Sequence, residues 1–422
     1  CLGPDGTSVS GAGTKLWYNQ NHSHHPPRLT ERNAPMEIKD FKVEQWMNAW
    51  ETTCRHNVAE TCTYSVTLNQ LFDICDGDGT EGSGRAARDE FLDAFAERRL
   101  TYGDIEGLPA FLDGICDLYE TVRPGHVITT HGAAGANHLV LSTLCGPGDH
   151  VVSVMPTYQQ LYSIPEMCGA DVRILHLEKD RHYHVDPEKL EALCGEDTKV
   201  ICINNPNNPT GGLLDEGEVR AIVDIAKDHD AWLMFDEVYR LLVQDSDAFT
   251  TSPIDLYDGA VVVSSMSKVW SLAGIRLGWC ITKSEKLRHD LLSHRDYDLI
   301  SCGLFDEEVA AYALSHKDEI LSRSRRIVQQ NLQVFSDWVE SEPHLSFVRP
   351  EAGTVALVYY DYDIDSYDFC TQMVQATGAL VTPGDAFEEP RSMRIGYAYS
   401  DNTDDLREGL NAISRFCRTL EK

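Results

Sequence analysis

The stretch Ala260-Val261-Val262-Val263-Ser264-Ser265-Met266-Ser267-Lys268-Val269-Trp270-Ser271-Leu272-Ala273-Gly274-Ile275-Arg276-Leu277-Gly278-Trp279 decides the fold. Its first four residues form a short, uninterrupted apolar run rich in valine, the pattern of a strand buried on both faces of a sheet. Such a strand places Lys268 just past its carboxyl end, the edge at which open α/β sheets hold their ligands. Ser265 and Ser267 offer hydroxyls and Arg276 a guanidinium fork, directional donors that suit a phosphate. A lone lysine is ordinarily a solvated surface group. Framed in this way, Lys268 is a candidate for chemistry.

Outward from this stretch, strand and helix patterns alternate. Val127–Thr130, Val151–Val154, Val172–Leu177, Val200–Asn204 and the run before Asp236 read as strands, and Pro187–Cys194 and Glu216–Asp228 read as helices. Such alternation implies parallel βαβ units. Several strand ends carry distinctive residues. Gly132-Ala133-Ala134-Gly135 opens a helix whose small side chains let backbone N–H groups approach an anion, with the positive end of the helix dipole in support. Tyr158, after Pro156-Thr157, offers an aromatic face on which a flat ring can stack. Asn204-Asn205-Pro206-Asn207-Asn208-Pro209-Thr210-Gly211 closes another strand with a proline-fixed turn. Asp236 ends a buried strand, where a carboxylate is costly unless a cation answers it. Tyr239 follows three residues later.

The 422 residues exceed one average domain, so two units sharing one compact body are expected. A formal net charge of −31 lacks the basic footprint that nucleic acid requires and reads as an acidic, solubilising surface. No apolar run of about 18 residues that could span a membrane occurs. Thirteen cysteines without C-x-x-C pairs read as reduced, mostly buried thiols in a cytoplasmic protein, with no metal site. Residues 1–35, rich in Gly, Ser, His and Pro, read as a tail that is disordered or was added for expression, with Met36 as a plausible natural start. His22, His24 and His25 there would bind metal only adventitiously. No signal peptide pattern is present.

Phe41, Val43, Trp46, Met47 and Trp50 recur at helical spacing, so an amphipathic helix is expected from Lys39 to about Arg55, followed by a short extended piece at Asn57–Thr61. Asp76–Gly82 contains G-x-G-x-x-G but no clear preceding strand, and as a calcium loop it has Glu81 where glycine is needed and Ala87 where the bidentate glutamate should stand, so a flexible surface loop is expected. Glu307–Val339 reads as a long helical stretch broken near Ser315-His316. Short strands at Val355–Tyr360 and beyond mark a smaller α+β region that carries Arg394, whose planar fork suits a carboxylate.

The S-x-S-K block with an R-x-G eight residues on, together with N-P-N-N-P-T-G and the Tyr102-x-x-x-x-Gly107 block, resembles the class I/II aminotransferases, fold type I enzymes dependent on pyridoxal 5′-phosphate. The resemblance runs from about Tyr102 to Tyr397. It implies an α/β fold with a mostly parallel central sheet flanked by helices and a smaller α+β domain. The implied division is 36–75 as an N-terminal segment joining the small domain, 76–289 as the large cofactor domain and 290–422 as the small domain. It also implies a homodimer with shared active sites.

Residue by residue, the resemblance makes Lys268 the Schiff-base lysine and the acid–base group, and gives Asp236 to the ring nitrogen. Asn208 and Tyr239 go to the ring oxygen, Tyr158 to the ring face, and Ser265, Arg276 and the backbone of Ala133 and Ala134 to the phosphate. Tyr102 reaches the neighbouring subunit's phosphate, and Arg394, with Asn208, takes the substrate carboxylate. The implied reaction is amino transfer between an L-amino acid and a 2-oxo acid. A lyase or cyclase acting at the β or γ carbon is the alternative, with a non-catalytic effector-binding protein as a remoter one. The family commonly carries a glycine-proline turn where this chain has Glu60. Glu60, Asp296 and Asp298, with no second arginine block, imply a neutral-polar or basic substrate side chain.

Overall fold

Alternation of apolar side chains across strands builds the centre of the molecule, in a computed structural model that describes residues 37–246 and 250–420. The expected tail at 1–35, with His22, His24 and His25, and Met36 lie outside the described residues. In chain order the strands are β1 (His56–Asn57), β2 (Val127–His131), β3 (His150–Met155), β4 (Asp171–His176), β5 (Thr198–Asn204), β6 (Trp232–Asp236), β7 (Ala260–Ser265), β8 (Leu277–Thr282), β9 (Leu345–Phe347), β10 (Val355–Tyr360), β11 (Ala379–Leu380), β12 (Thr382–Pro383) and β13 (Ser392–Gly396). Seven of them form one sheet in the order β2-β8-β7-β6-β5-β3-β4. Every residue of β7 is buried. Ala260 and Val262 enter one apolar cluster while Val261 and Val263 enter another, because successive side chains point to opposite faces. Ile222 and Val223 of the helix Glu216–Asp228 pack in the first cluster, and Leu139 and Val140 of the helix Gly132–Leu144 in the second, so helices cover both faces.

Only β8 reverses direction in this sheet, pairing antiparallel with β2 and β7, while the remaining pairs are parallel. Gly278 lies opposite both Thr130 and Ser265, so Arg276, immediately before β8, arrives at the edge where β2 and β7 end. The reversal thus delivers a cation to the carboxyl edge of the parallel strands. A second, antiparallel sheet has the order β12-β13-β10-β9. β1 pairs in parallel with β11, which fastens the N-terminal segment to the C-terminal third.

The N-terminal helix spans Lys42–Trp50, shorter at both ends than the hydrophobic spacing suggests. It turns off where Thr52 and Thr53, β-branched residues with restricted helical rotamers, follow it. The long C-terminal stretch is two helices, Leu304–Ser315 and Lys317–Ser341. At their junction the Ser315 hydroxyl donates to the Tyr312 carbonyl at 2.8 Å and His316 Nδ1 lies 2.9 Å from it, so side chains compete for an acceptor the helix would use. The Asp76–Gly82 loop is exposed, but it is a braced turn. The Asp73 carboxylate accepts from Gly82 N at 2.9 Å and Gly84 N at 2.8 Å. Among the described residues seven of the twelve cysteines are buried, and no helix is long and apolar enough to cross a membrane.

Candidate active site

A cavity of about 260 Å³ opens at the carboxyl edge of the large sheet, against the small sheet and the N-terminal helix. Lys268 lines it from the bend just after β7. Its Nζ donates to Thr61 Oγ1 at 2.5 Å and stands 3.6 Å from Cys62 Sγ. Burial works against its charge, but Cys62, Tyr239 and Glu60 around it prevail, and its ammonium holds its proton above the ordinary lysine range. The same burial pushes the Cys62 thiol up to about 12.

Asp236, at the end of β6, is 3% exposed. One carboxylate oxygen accepts from Asn137 Nδ2 at 3.0 Å and the other from Val238 N at 3.2 Å. Desolvation raises its pKa in spite of these donors and of the Lys268 charge. Asn137 comes from the helix that begins at Gly132, and Ala133 and Ala134 of its first turn line the same cavity. Gly132 has φ +66°, and a Cβ there would stand 2.7 Å from Arg276 Nη2, so glycine lets the guanidinium close over the helix start. Ser265 and Ser267 line the cavity beside it.

The opposite wall comes from the small sheet. Arg394, in β13 and 3% exposed, donates through Nη1 to Asn208 Oδ1 at 3.1 Å and through Nη2 to Thr382 Oγ1 at 3.0 Å. Its guanidinium lies 5.1 Å from the Phe387 ring centre, and its buried Nε has no partner among the described residues. Asn208 is fixed in turn by its own N–H, which donates to Asn204 Oδ1 at 2.6 Å. Tyr239 and Tyr158 also line the cavity. The Tyr158 hydroxyl donates to Glu44 Oε1 at 3.1 Å.

Glu60 reaches the site because Gly396 leaves room for it: a Cβ at Gly396 would stand 1.7 Å from the Glu60 carbonyl oxygen. Its Oε1 accepts from Thr61 N at 2.7 Å and Cys62 N at 2.8 Å. Desolvation opposes its charge, yet Lys268 and these N–H donors hold its pKa below the usual carboxylate value.

The fold therefore gathers Lys268, Asp236, Tyr239, Ala133, Ala134, Tyr158, Asn208, Ser265, Arg276, Arg394 and Glu60 around one cavity. Tyr102 stands apart on the surface, 69% exposed. Asp296 and Asp298 do not line the cavity; Asp298 borders a separate groove with His138 and Tyr297, so the expectation that they shape the substrate pocket is corrected. The sequence reading passed over Asn137, Thr61, Cys62, Glu44 and Glu51 as lining residues. Glu44, Met47 and Glu51 sit at helical i, i+3, i+7 spacing and share a face, a signal present in the sequence.

The family model described as aminotransferase class I and II matches residues 73–413. Capreomycidine synthase of Streptomyces vinaceus is 31% identical over 293 residues, 69% of this chain and 74% of that protein. A pyridoxal-phosphate-dependent aminotransferase from Streptococcus suis 89-1591 superposes with a TM-score of 0.84 at 39% identity, covering 92% of this chain and 99% of its own. The pyridoxal-phosphate-dependent cyclase OrfR shares the fold with a TM-score of 0.81 at 24% identity, over 92% and 99% of the two chains. With the lysine, the buried aspartate and the two arginines assembled around one cavity, the chain belongs to the class I and II aminotransferases, enzymes that work with pyridoxal 5′-phosphate.

Proposed function

We propose that the chain moves an amino group between an L-amino acid and a 2-oxo acid. The observation that carries this reading is Lys268 Nζ lining one cavity with the buried carboxylate of Asp236 and the buried guanidinium of Arg394. The donor set fits the cofactor. Arg276, Ser265, Ser267 and the N–H groups of Ala133 and Ala134 would hold its phosphate, and Tyr158 its ring face. When bound, pyridoxal phosphate supplies an aldehyde that condenses with amines and a ring that draws off the electron pair left at the substrate α-carbon.

Asp236, its plane fixed by Asn137 and Val238, keeps a proton on the ring nitrogen. Asn208 spends its Oδ1 on Arg394, which leaves its amide N–H groups to donate to the ring oxygen beside Tyr239. Arg394 pairs with the α-carboxylate and orients the α-carbon. Lys268 Nζ, in the neutral amine form that its condensation with the cofactor aldehyde requires, then takes the α-proton and returns it, the positioned acid–base step.

The exposed apolar residues Leu100, Tyr102, Ile105, Tyr297 and Ile300 support a homodimer with Tyr102 in the partner's site. Arg295 Nη2 ties their loops into one face by donating to the carbonyls of Ile105 at 2.6 Å and Ile300 at 3.4 Å. We read residues 76–289 as the cofactor half, 36–75 with 290–422 as the smaller half, and the location as cytoplasmic in view of cysteines scattered without C-x-x-C pairs.

A second reading, cyclisation or elimination at the β or γ carbon, is favoured by the likeness to capreomycidine synthase and by Glu60 and Cys62 standing beside Lys268 where the family commonly has a glycine-proline turn. Incubating the holoenzyme with amino acids decides between the two. A 2-oxo acid of unchanged carbon skeleton with aminated cofactor is expected; a ring-closed or eliminated product would replace the first reading by the second.

A further inference from the structure

The mouth of the cavity is more acidic than the chemistry requires. Of the three cations that line it, Arg276 belongs with the phosphate end, Arg394 with the substrate carboxylate and Lys268 with the reacting carbon. Asp236 is the one acid that the cofactor calls for. Three further carboxylates remain, Glu44, Glu51 and Glu60, and among the described residues the lining holds no fourth cation to answer them.

We propose that Glu44, Glu51 and Glu60 form a subsite for the cationic side chain, guanidinium or ammonium, of a basic amino-acid substrate. The proposal rests on the aminotransferase reading and extends it to substrate class. Four observations support it. Glu44 and Glu51 lie one turn either side of Met47 on a single helix face, with Val43 beside them, so apolar surface is available for a methylene stem and carboxylates for its charged head. The three acids come from two segments that the fold brings together, which repel one another: Glu51 is held above the ordinary carboxylate range by desolvation and by Glu60, with Glu44 adding to it. A bound cation relieves that repulsion. Glu60 is prepared in advance, since Thr61 N and Cys62 N fix its Oε1. Finally, Arg394 lines the same cavity, 3% exposed and with its Nε unpartnered among the described residues, so the cavity presents cationic and anionic ends. A zwitterion's carboxylate suits the first and a basic side chain the second, whereas an acidic side chain would face three carboxylates.

The test is a titration of the holoenzyme, followed by cofactor absorbance, with L-arginine, L-lysine, L-citrulline, L-norleucine and L-glutamate. Citrulline has nearly the shape of arginine without its charge. Arginine or lysine should bind at least about 10-fold more tightly than citrulline and norleucine, and glutamate weakest of all, as expected for a charge-assisted hydrogen bond made or lost. The relative response of arginine and lysine identifies the head group. In Glu51→Gln the arginine or lysine affinity should fall about 10-fold while citrulline changes by less than about two-fold, with Glu44→Gln acting in the same direction. Equal binding of citrulline and arginine, tightest binding by glutamate, or equal losses for all ligands in both variants would overturn the subsite and leave the aminotransferase reading standing. If none of the five alters the absorbance, the subsite falls, and the aminotransferase reading is decided separately by the product test with other amino acids.

Discussion

The two sides of the cavity are built on different principles. The cofactor side is made of strand ends: Asp236 closes β6, Ser265 closes β7 and Arg276 precedes β8, so backbone pairing fixes where each side chain emerges. The mouth is made of one face of a helix and a crossing segment, with Glu44 and Glu51 exposed and Glu60 half-buried. The first side rests on supports buried in both apolar clusters, and the role proposed for it does not depend on the side chain of the amino acid. The second can vary in sequence without disturbing the sheet, which is where substrate choice can change.

Four substitutions sharpen that contrast. The largest effect is expected at the strand ends: Asp236→Ala should lower kcat by about 10²–10⁴-fold for every substrate, the range for loss of a positioned proton-holding group, with a shifted cofactor absorbance as the check. Equal kcat in the variant would break the assignment of Asp236 to the ring nitrogen. Arg394→Lys comes next. It exchanges a planar fork for a point charge, so KM should rise by about 10-fold or more for cationic and neutral amino acids alike, unlike the side-chain-selective loss expected at Glu51.

Gly396→Ala should act first on the mouth. The added methyl meets the Glu60 carbonyl oxygen at 1.7 Å, so the segment must shift, at about 1–3 kcal/mol of stability measured by denaturant unfolding. Basic substrates should suffer more than neutral ones.

The smallest effect is a pH dependence. His184 sits between Glu351 and Glu218, 2.8 Å from each, and the bond to Glu351, against burial and with help from Glu218, raises its pKa to about 9. Glu351 also accepts from Leu213 N at 3.2 Å and so ties the loop behind Asn208 to the small sheet. Because the folded pKa lies above the unfolded one, this contribution is complete below the unfolded value near 6.5 and is lost as pH rises through about 9. The Tm of the wild type should fall between these limits more steeply than that of His184→Gln; parallel profiles would show that the pair contributes nothing.

What could be read in the sequence follows the same division. Lys268, Asp236 and Asn208 were legible because each ends an apolar run and sits in a local block of residues, so the strand ends define the chemistry before any packing is known. The break at His316 was legible for a similar reason, since serine and histidine side chains compete with nearby carbonyls. Asn137 was not, because its partner Asp236 lies 99 residues away and only the packing of a helix across the large sheet unites them. Thr61 and Cys62 meet Lys268 across 207 and 206 residues. Glu44 and Glu51 sat on a helix whose apolar residues drew the reading toward packing, while Asp296 and Asp298 fall in the turn that ends the helix Glu285–Arg295, facing elsewhere.

Gly278, packed against the start of the helix at Gly132, closes a span with a further meaning. All of the single-chain cofactor-side residues, from Ala133 to Arg276, fall within one continuous segment that is complete once β8 is made, whereas Arg394 lies more than a hundred residues later. During synthesis from the N-terminus, every residue proposed to hold the phosphate and the ring is joined to the chain before Arg394 is. The order of translation therefore sets the residues proposed for the cofactor ahead of the one proposed to commit a substrate to it.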